Sequence, residues 1–130
     1  MPMRWLHIAL LSVLPAVACP VRADVESAVI LQTSPLAGFQ YHAGRALFPL
    51  MQVGDYLQLV REPDNPYDPK AVRVEWRGVM IGYAPRADNV DLARIMDQGA
   101  HVEGRIVNLQ KVRNPWRRML FEVVVVDDGH

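Results

Sequence analysis

The sequence contains almost no cysteine, and this excludes two kinds of site. Cys19 is the only cysteine among the 130 residues, and it lies in an N-terminal segment that we expect to be removed. The folded part should therefore contain no disulfide and no thiol chemistry. The histidines at positions 42, 101 and 130 are scattered and have no cysteine partner, so we expect no zinc site, no other metal and no cofactor.

An excess of charge of one sign is also missing, with 14 basic and 14 acidic residues. Removing residues 1–23 would take away Arg4 and Arg22, and the remaining 12 basic residues would then face all 14 acidic ones. Such a slightly acidic domain is not expected to bind polyanions over its whole surface, since non-specific nucleic-acid affinity depends on neutralising phosphates. Local basic patches are still compatible with this composition.

Sets of catalytic residues are absent as well. We find no Ser/His/Asp set, no glycine-rich phosphate loop and no pair of carboxylates placed for acid–base work. The sequence therefore predicts a protein without catalytic activity, and its function has to be sought in binding.

One long apolar run is present, and it stands at the N-terminus. A short positive start, Met1–Arg4, precedes an apolar run from Trp5 to Val17 that is broken only by a histidine and a serine. These thirteen residues are too few to span a bilayer and suit the core of a signal peptide. Val21-Arg22-Ala23 then offers small residues at the two positions that a signal peptidase reads. We predict a signal peptide over residues 1–23.

Export is testable at the N-terminus of the natural protein. We expect a periplasmic or secreted chain without an integral membrane segment, and N-terminal sequencing of protein from its own cells should begin at Asp24. A chain that keeps Met1 would contradict this and would be an uncleaved anchor or, if the start codon is misjudged, a cytoplasmic protein. Ala16–Cys19 offers a further alternative as a lipoprotein site, although the usual leucine is missing.

The remaining residues suffice for one core without metal or disulfide support. Alternating or apolar runs predict strands, and residues 88–99 predict one helix with a narrow apolar stripe and a terminal glycine. Residues 38–42 read as extended, and residues 45–51 as a strand end or one helical turn. Trp76 falls on the buried face of its strand. Six or seven short strands with one short helix predict a mainly β fold, a small closed β-barrel or sandwich.

A stiff loop, Arg61–Ala71, separates two of these strands. It carries prolines at every third position, 63, 66 and 69, and each fixes its own φ and restricts the residue before it. A loop of nearly set shape that presents Asn65, Tyr67 and Asp68 together is typical of a recognition element. The alternative is a plain connection in which Asp68 caps a turn and the Tyr67 ring folds back onto the core.

Five segments of the chain form a recognisable set: Gly38–Tyr41, Leu59–Asp68, Ala71–Val74, Ile81–Tyr83 and Pro85-Arg86. Together they resemble the HIRAN domain family, and the resemblance covers residues 27–126. It implies a compact β-barrel, similar to the oligonucleotide-binding barrels, with a pocket for a nucleic-acid end. In eukaryotic fork-remodelling ATPases the family's domain is fused to a motor and grips the 3′-hydroxyl end of single-stranded DNA without catalysis of its own.

The resemblance also implies roles for individual residues. Tyr41 and Tyr67 fall where the family has aromatic rings that stack on the terminal bases. Asp68 falls on the carboxylate that accepts a hydrogen bond from the terminal hydroxyl. Asn65 falls where a residue shapes the loop, and Arg86 matches a basic residue that contacts phosphate.

Three positions depart from that pattern or match it loosely. Tyr83 stands where the DNA-binding member has a histidine, and Gln40 stands where an arginine touches the backbone. Trp116, on the last hairpin, is a candidate for a third stacking surface. Arg86 has a plain alternative, an ion pair with Asp88 or with Asp91 at the helix start.

A cluster of basic residues surrounds the tryptophan of the last hairpin. Such a patch beside an aromatic ring suits single-stranded DNA or an anionic membrane, and a solvated hairpin tip is the alternative. We therefore expect a monomeric binding module for the end of single-stranded DNA, or alternatively an exported protein–protein interaction module that keeps the fold. The basic residues are Lys111, Arg113, Arg117 and Arg118.

Overall fold

The structure is a computed structural model that describes residues 28–126. The predicted signal peptide, with Cys19 and the expected cleavage site before Asp24, lies outside the described residues. Within residues 28–126, no helix has both the length and the hydrophobicity needed to cross a membrane.

Residues 28–126 form one six-stranded antiparallel sheet and two α-helices. The strand order is β1-β6-β5-β2-β3-β4, so the first and fourth strands are the edges. The mainly β prediction is thus confirmed, with six strands where six or seven were predicted. The bounds are β1 Ala28–Pro35, α1 Gly44–Leu47, β2 Tyr56–Glu62, β3 Ala71–Trp76, β4 Val79–Tyr83, α2 Asn89–Asp97, β5 Val102–Leu109 and β6 Met119–Val126.

The closed barrel that the sequence predicts is not formed as a continuous ladder. Ala37, two residues after β1, pairs with Tyr83 at the end of β4. The two residues exchange both backbone hydrogen bonds at 2.9 Å and form one isolated antiparallel pair between the sheet edges. The closure is this short because Pro35 cannot donate a backbone hydrogen bond and Gly38, at φ +76°, turns the chain away. One residue pair therefore connects the two edges.

Helix α2 confirms the predicted helix. Its C-terminal end is made by Gly99, whose φ of +96° allows the chain to turn and whose amide donates to the Met96 carbonyl oxygen at 3.0 Å. Asp88 stands at the N-cap, but its side chain makes no capping hydrogen bond. The helix packs against β3.

The segment before β2 differs from the extended conformation predicted for residues 38–42. Phe39–Tyr41 is a 3-10 turn whose Phe39 ring is fully buried. Gly44 makes this packing possible, since a Cβ there would lie 2.7 Å from two ring atoms of Phe39. Of the two interpretations for residues 45–51, the helical one is right: α1 is followed by a 3-10 turn, Phe48–Leu50.

The hairpin between β3 and β4 is tight, because Arg77 and Gly78 both adopt positive φ, 51° and 81°. Trp76 is buried, which confirms its assignment to the core. The core lies between the sheet, α2 and the turns that precede β2, and it leaves the β2–β3 loop and the end of β4 at one side of the domain. Its fully buried side chains include Leu57, Val74, Ile81, Leu92, Ile106 and Phe121.

Candidate functional site

The loop between β2 and β3 borders an open cavity of about 870 Å³. The opposite wall is formed by Ala37 and Tyr83, the pair that joins the sheet edges, together with His42 and Arg86. A cavity of this volume lies in the range that small-molecule and cofactor sites occupy. The fold therefore places the stiff loop at the mouth of a preformed recess.

Asn65 holds the loop in shape. Its side-chain carbonyl oxygen accepts hydrogen bonds from the backbone amides of Tyr67, at 2.8 Å, and Asp68, at 3.1 Å. Its amide group donates to Oε1 of Glu62 at 2.9 Å. All three contacts lie within the loop and its base, so the loop has its conformation before any ligand arrives. The loop-shaping role expected of Asn65 agrees with these contacts.

Glu62 is the centre of a network that the sequence analysis missed. Besides Asn65, it accepts a hydrogen bond from the Tyr83 hydroxyl at 2.9 Å and one from Arg73 Nη1 at 2.6 Å. Burial would raise the pKa of the Glu62 carboxyl, but these hydrogen bonds outweigh burial and hold the pKa below its ordinary value. The network joins the loop to β3 and β4, and no periodicity in the sequence could have revealed it.

Both carboxylate oxygens of Asp68 already accept a hydrogen bond. Oδ1 accepts from the Lys70 backbone amide at 2.9 Å, and Oδ2 accepts from the Asn89 side-chain amide at 2.8 Å. The Lys70 amide is the main reason that the pKa of Asp68 is lowered. The turn cap of the plain alternative is thus present. Each oxygen keeps a second lone pair for a ligand, and the role of Asp68 toward a terminal hydroxyl stays a prediction.

Asn89, at the start of the predicted helix, is 2% exposed and supports Asp68 from the first turn of α2. This contact joins residues that are 21 positions apart in the chain. An asparagine at a helix start is the only sequence signal for it, and that signal is equally compatible with capping.

Arg86 faces the loop instead of the helix. Its Nη2 donates to the Tyr67 carbonyl oxygen at 2.5 Å, and its Nε lies 3.7 Å from Oδ2 of Asp68. The predicted alternative, a pair with Asp88 or Asp91, is not formed, and Asp91 pairs with Arg94 at 2.9 Å. The Arg86 side chain is 72% exposed, so most of its donors are open to a ligand at the rim.

The two tyrosines expected to stack on bases are both exposed. Tyr67 is 83% exposed on the loop, and Tyr41 is 78% exposed on the 3-10 turn that precedes His42. The inward-folded Tyr67 of the plain alternative is therefore wrong. Tyr83 is half-buried, its ring centroid lies 6.0 Å from that of His42, and burial together with its hydrogen bond to Glu62 raises its pKa.

The structure brings five of the seven predicted site residues into the lining of one cavity and leaves two on the adjacent surface. Tyr41 and Trp116 are the two outside it. Trp116 is half-exposed on a 3-10 turn, Pro115–Arg117, which packs against the turn that carries Tyr41. The five that line the cavity are Asn65, Tyr67, Asp68, Tyr83 and Arg86.

Comparison with known proteins finds one matching family, the HIRAN domain, over residues 30–126. A crystal structure of a Lactobacillus plantarum protein, a structural genomics target, is 27% identical, with a TM-score of 0.68 over 78% of this chain and 98% of that chain. The crystal structure of the HIRAN domain of human HLTF is 24% identical, with a TM-score of 0.61 over 78% of this chain and 81% of that chain. No curated protein shows a significant match.

Proposed function

Since this chain belongs to the HIRAN domain family, we propose that it is a non-catalytic binding module for the end of a single-stranded nucleic acid, with the free 3′-hydroxyl in the cavity. The observation that carries the proposal is the placement of the Asp68 carboxylate in the lining of a preformed recess whose mouth carries the exposed ring of Tyr67. A carboxylate accepts a hydrogen bond from a hydroxyl and cannot donate one.

The charges that line the cavity favour a hydroxyl end over a phosphorylated end. Three carboxylates, Glu62, Asp64 and Asp68, face two cations, Arg61 and Arg86. Arg61 is already used, because it binds Asp97 through two hydrogen bonds, at 2.9 and 3.1 Å. Glu62 is likewise neutralised by Arg73, at 2.6 Å. Asp64 and Asp68 then face Arg86 alone, and the cavity keeps an excess of negative charge. A terminal phosphate inside the cavity would therefore be repelled by like charge, whereas a phosphate at the rim could meet Arg86.

The exposed rings supply the affinity in this proposal. Flat tyrosine faces stack on any base, at about 1–3 kcal/mol per stack, and so recognise a strand end without reading its sequence. Tyr67 stands at the cavity mouth and Tyr41 on the surface beside His42. We therefore expect weak preference among base sequences and strong dependence on the chemistry of the 3′ end.

Two fluorescent single-stranded oligonucleotides of one sequence, with a 3′-hydroxyl and with a 3′-phosphate, test this proposal. The hydroxyl form should bind the purified protein about tenfold more tightly, which corresponds to about 1.4 kcal/mol from the loss of one hydrogen bond and the gain of one like-charge repulsion. A 5′-phosphate on the same oligonucleotide is the control and should change affinity little. Equal affinity for both 3′ ends, or no binding at all, would contradict end recognition.

If the protein is exported as predicted, the proposal must also say where it would meet single-stranded nucleic acid. A domain that leaves the cytoplasm would meet nucleic acid outside it, such as released or incoming DNA. The N-terminal sequence of the natural protein, expected to begin at Asp24, decides where that ligand should be sought.

A further inference from the structure

The turn that joins β5 to β6 is basic and carries no acidic residue from position 110 to position 118. We call residues 111–118 the basic turn. Arg118 is used within the fold, since it donates to the Val112 carbonyl oxygen at 2.8 Å and lies over the Phe39 ring at 5.7 Å. Lys111, Arg113 and Arg117 are exposed, and within residues 28–126 none of these three forms an ion pair.

The basic turn has a defined shape. The Asn114 side chain accepts a hydrogen bond from the Trp116 amide at 3.0 Å, and the Asn114 carbonyl oxygen accepts one from the Arg117 amide at 3.0 Å. Pro115 fixes the first residue of the 3-10 turn. The half-exposed indole of Trp116 is therefore presented by a preorganised turn that also carries cations.

The basic turn continues the surface of the cavity. It packs against the turn of Phe39–Tyr41, and the next residue, His42, lines the cavity wall. Exposed Tyr41 thus belongs to a turn that contacts the basic turn and directly precedes a residue of the cavity wall. A strand that left the cavity over these two turns would meet Tyr41, Trp116 and the three exposed cations.

We propose that the basic turn is a second subsite, which holds the backbone phosphates of the nucleotides that precede the bound end. This inference rests on the proposed function and adds a path for the strand beyond the terminal nucleotides. The cavity lining has more acidic than basic groups, so the phosphates need a cationic partner elsewhere. The basic turn is adjacent, and three of its cations have no ion-pair partner among residues 28–126. Cations beside an exposed aromatic ring form the usual surface for single strands.

Oligonucleotide length separates the two subsites experimentally. Two strands with free 3′-hydroxyls, of about three and about 12 nucleotides, should differ in affinity roughly tenfold at low salt, because the longer one reaches the cations. Arg113→Gln combined with Arg117→Gln should abolish this gain and leave the affinity for the short strand unchanged. The slope of log affinity against log salt for the long strand should fall by about 1.4, or about 0.7 for each phosphate that is no longer neutralised.

The matched control removes the same charge elsewhere. Arg94→Gln with Arg105→Gln changes two exposed arginines outside the basic turn, which pair with Asp91 and Glu122. This variant should keep the gain with length, and an equal loss in both variants would overturn the proposal in favour of a general charge effect.

Further outcomes distinguish this proposal from the one on which it rests. If the short strand binds and the long strand binds no better, the second subsite is overturned while end recognition stands. If neither strand binds, both proposals fail. Phosphatidylglycerol vesicles provide the last comparison: vesicle binding that depends on Arg113 and Arg117, without any gain with strand length, would identify a membrane surface and overturn the nucleic-acid subsite.

Discussion

Replacing Asp68 with alanine is expected to lower the free energy of unfolding by about 2–4 kcal/mol, because two donors lose their acceptor at once. One is the side-chain amide of Asn89, which is almost fully buried and finds its partner in Oδ2 of Asp68. The other is the backbone amide of Lys70 in the turn after Pro69. Urea unfolding of the two proteins measures the difference, and an alanine variant as stable as the wild type would show that these hydrogen bonds contribute nothing.

Asp68→Asn is the variant that separates support of the loop from recognition of the ligand. An asparagine oxygen can still accept from Lys70, and Asn89 can rotate its amide so that its oxygen faces the new amide group. We therefore expect a stability within about 1 kcal/mol of the wild type. The negative charge is lost, however, so the preference for a 3′-hydroxyl over a 3′-phosphate should fall to about unity. An asparagine variant that keeps the full preference would exclude Asp68 as the group that reads the terminal hydroxyl.

Gly82→Ala is expected to lower the free energy of unfolding by about 3–4 kcal/mol and to remove ligand binding, since the added methyl group would disrupt the pair of residues that joins the sheet edges. A Cβ at this position would lie 2.5 Å from the Ala37 carbonyl oxygen and 2.9 Å from Cγ of buried Leu36. The backbone at Ala37 would have to move, and both hydrogen bonds with Tyr83 would be lost. Because Ala37 and Tyr83 line the cavity, their separation would disrupt the cavity wall.

A glycine without close neighbours provides the control for this prediction. Gly54 has a φ of +97° and nothing within 4 Å of an added Cβ. Gly54→Ala should therefore cost only the strain of the left-handed backbone, about 1–2 kcal/mol, and leave binding unchanged. Thermal or denaturant unfolding of both variants measures the difference. Equal costs at the two positions would mean that the edge closure does not depend on the close approach at Gly82.

The sequence predicted the elements whose cause is local. Alternating residues identified the strands, and the terminal glycine, Gly99, identified the end of α2. The segment around Phe39 was predicted wrongly, because its turn depends on burying that ring against Gly44, which lies outside the turn itself. Burial of this kind leaves no periodic pattern in the residues concerned.

The features of the site that have a local cause were also predictable, and the contacts between distant segments were not. The proline spacing indicated a stiff loop, and the resemblance to a family named the residues that the loop and its surroundings present. Glu62 and Asn89 were missed as supports, because their partners come from β3, β4 and the β2–β3 loop at distant points of the chain. No local pattern in the sequence indicates which residues these two side chains contact.

The chain by itself thus determined the strands, helix α2 and a loop of nearly set conformation, since dihedral restriction and alternation act over a few neighbouring residues. Only the tertiary structure decided that the sheet edges meet at a single pair, that the Tyr67 ring faces outward and that Asp68 is braced from α2. Those features depend on hydrogen bonds and packing between segments far apart in the chain, and such pairings become defined only when the whole core forms.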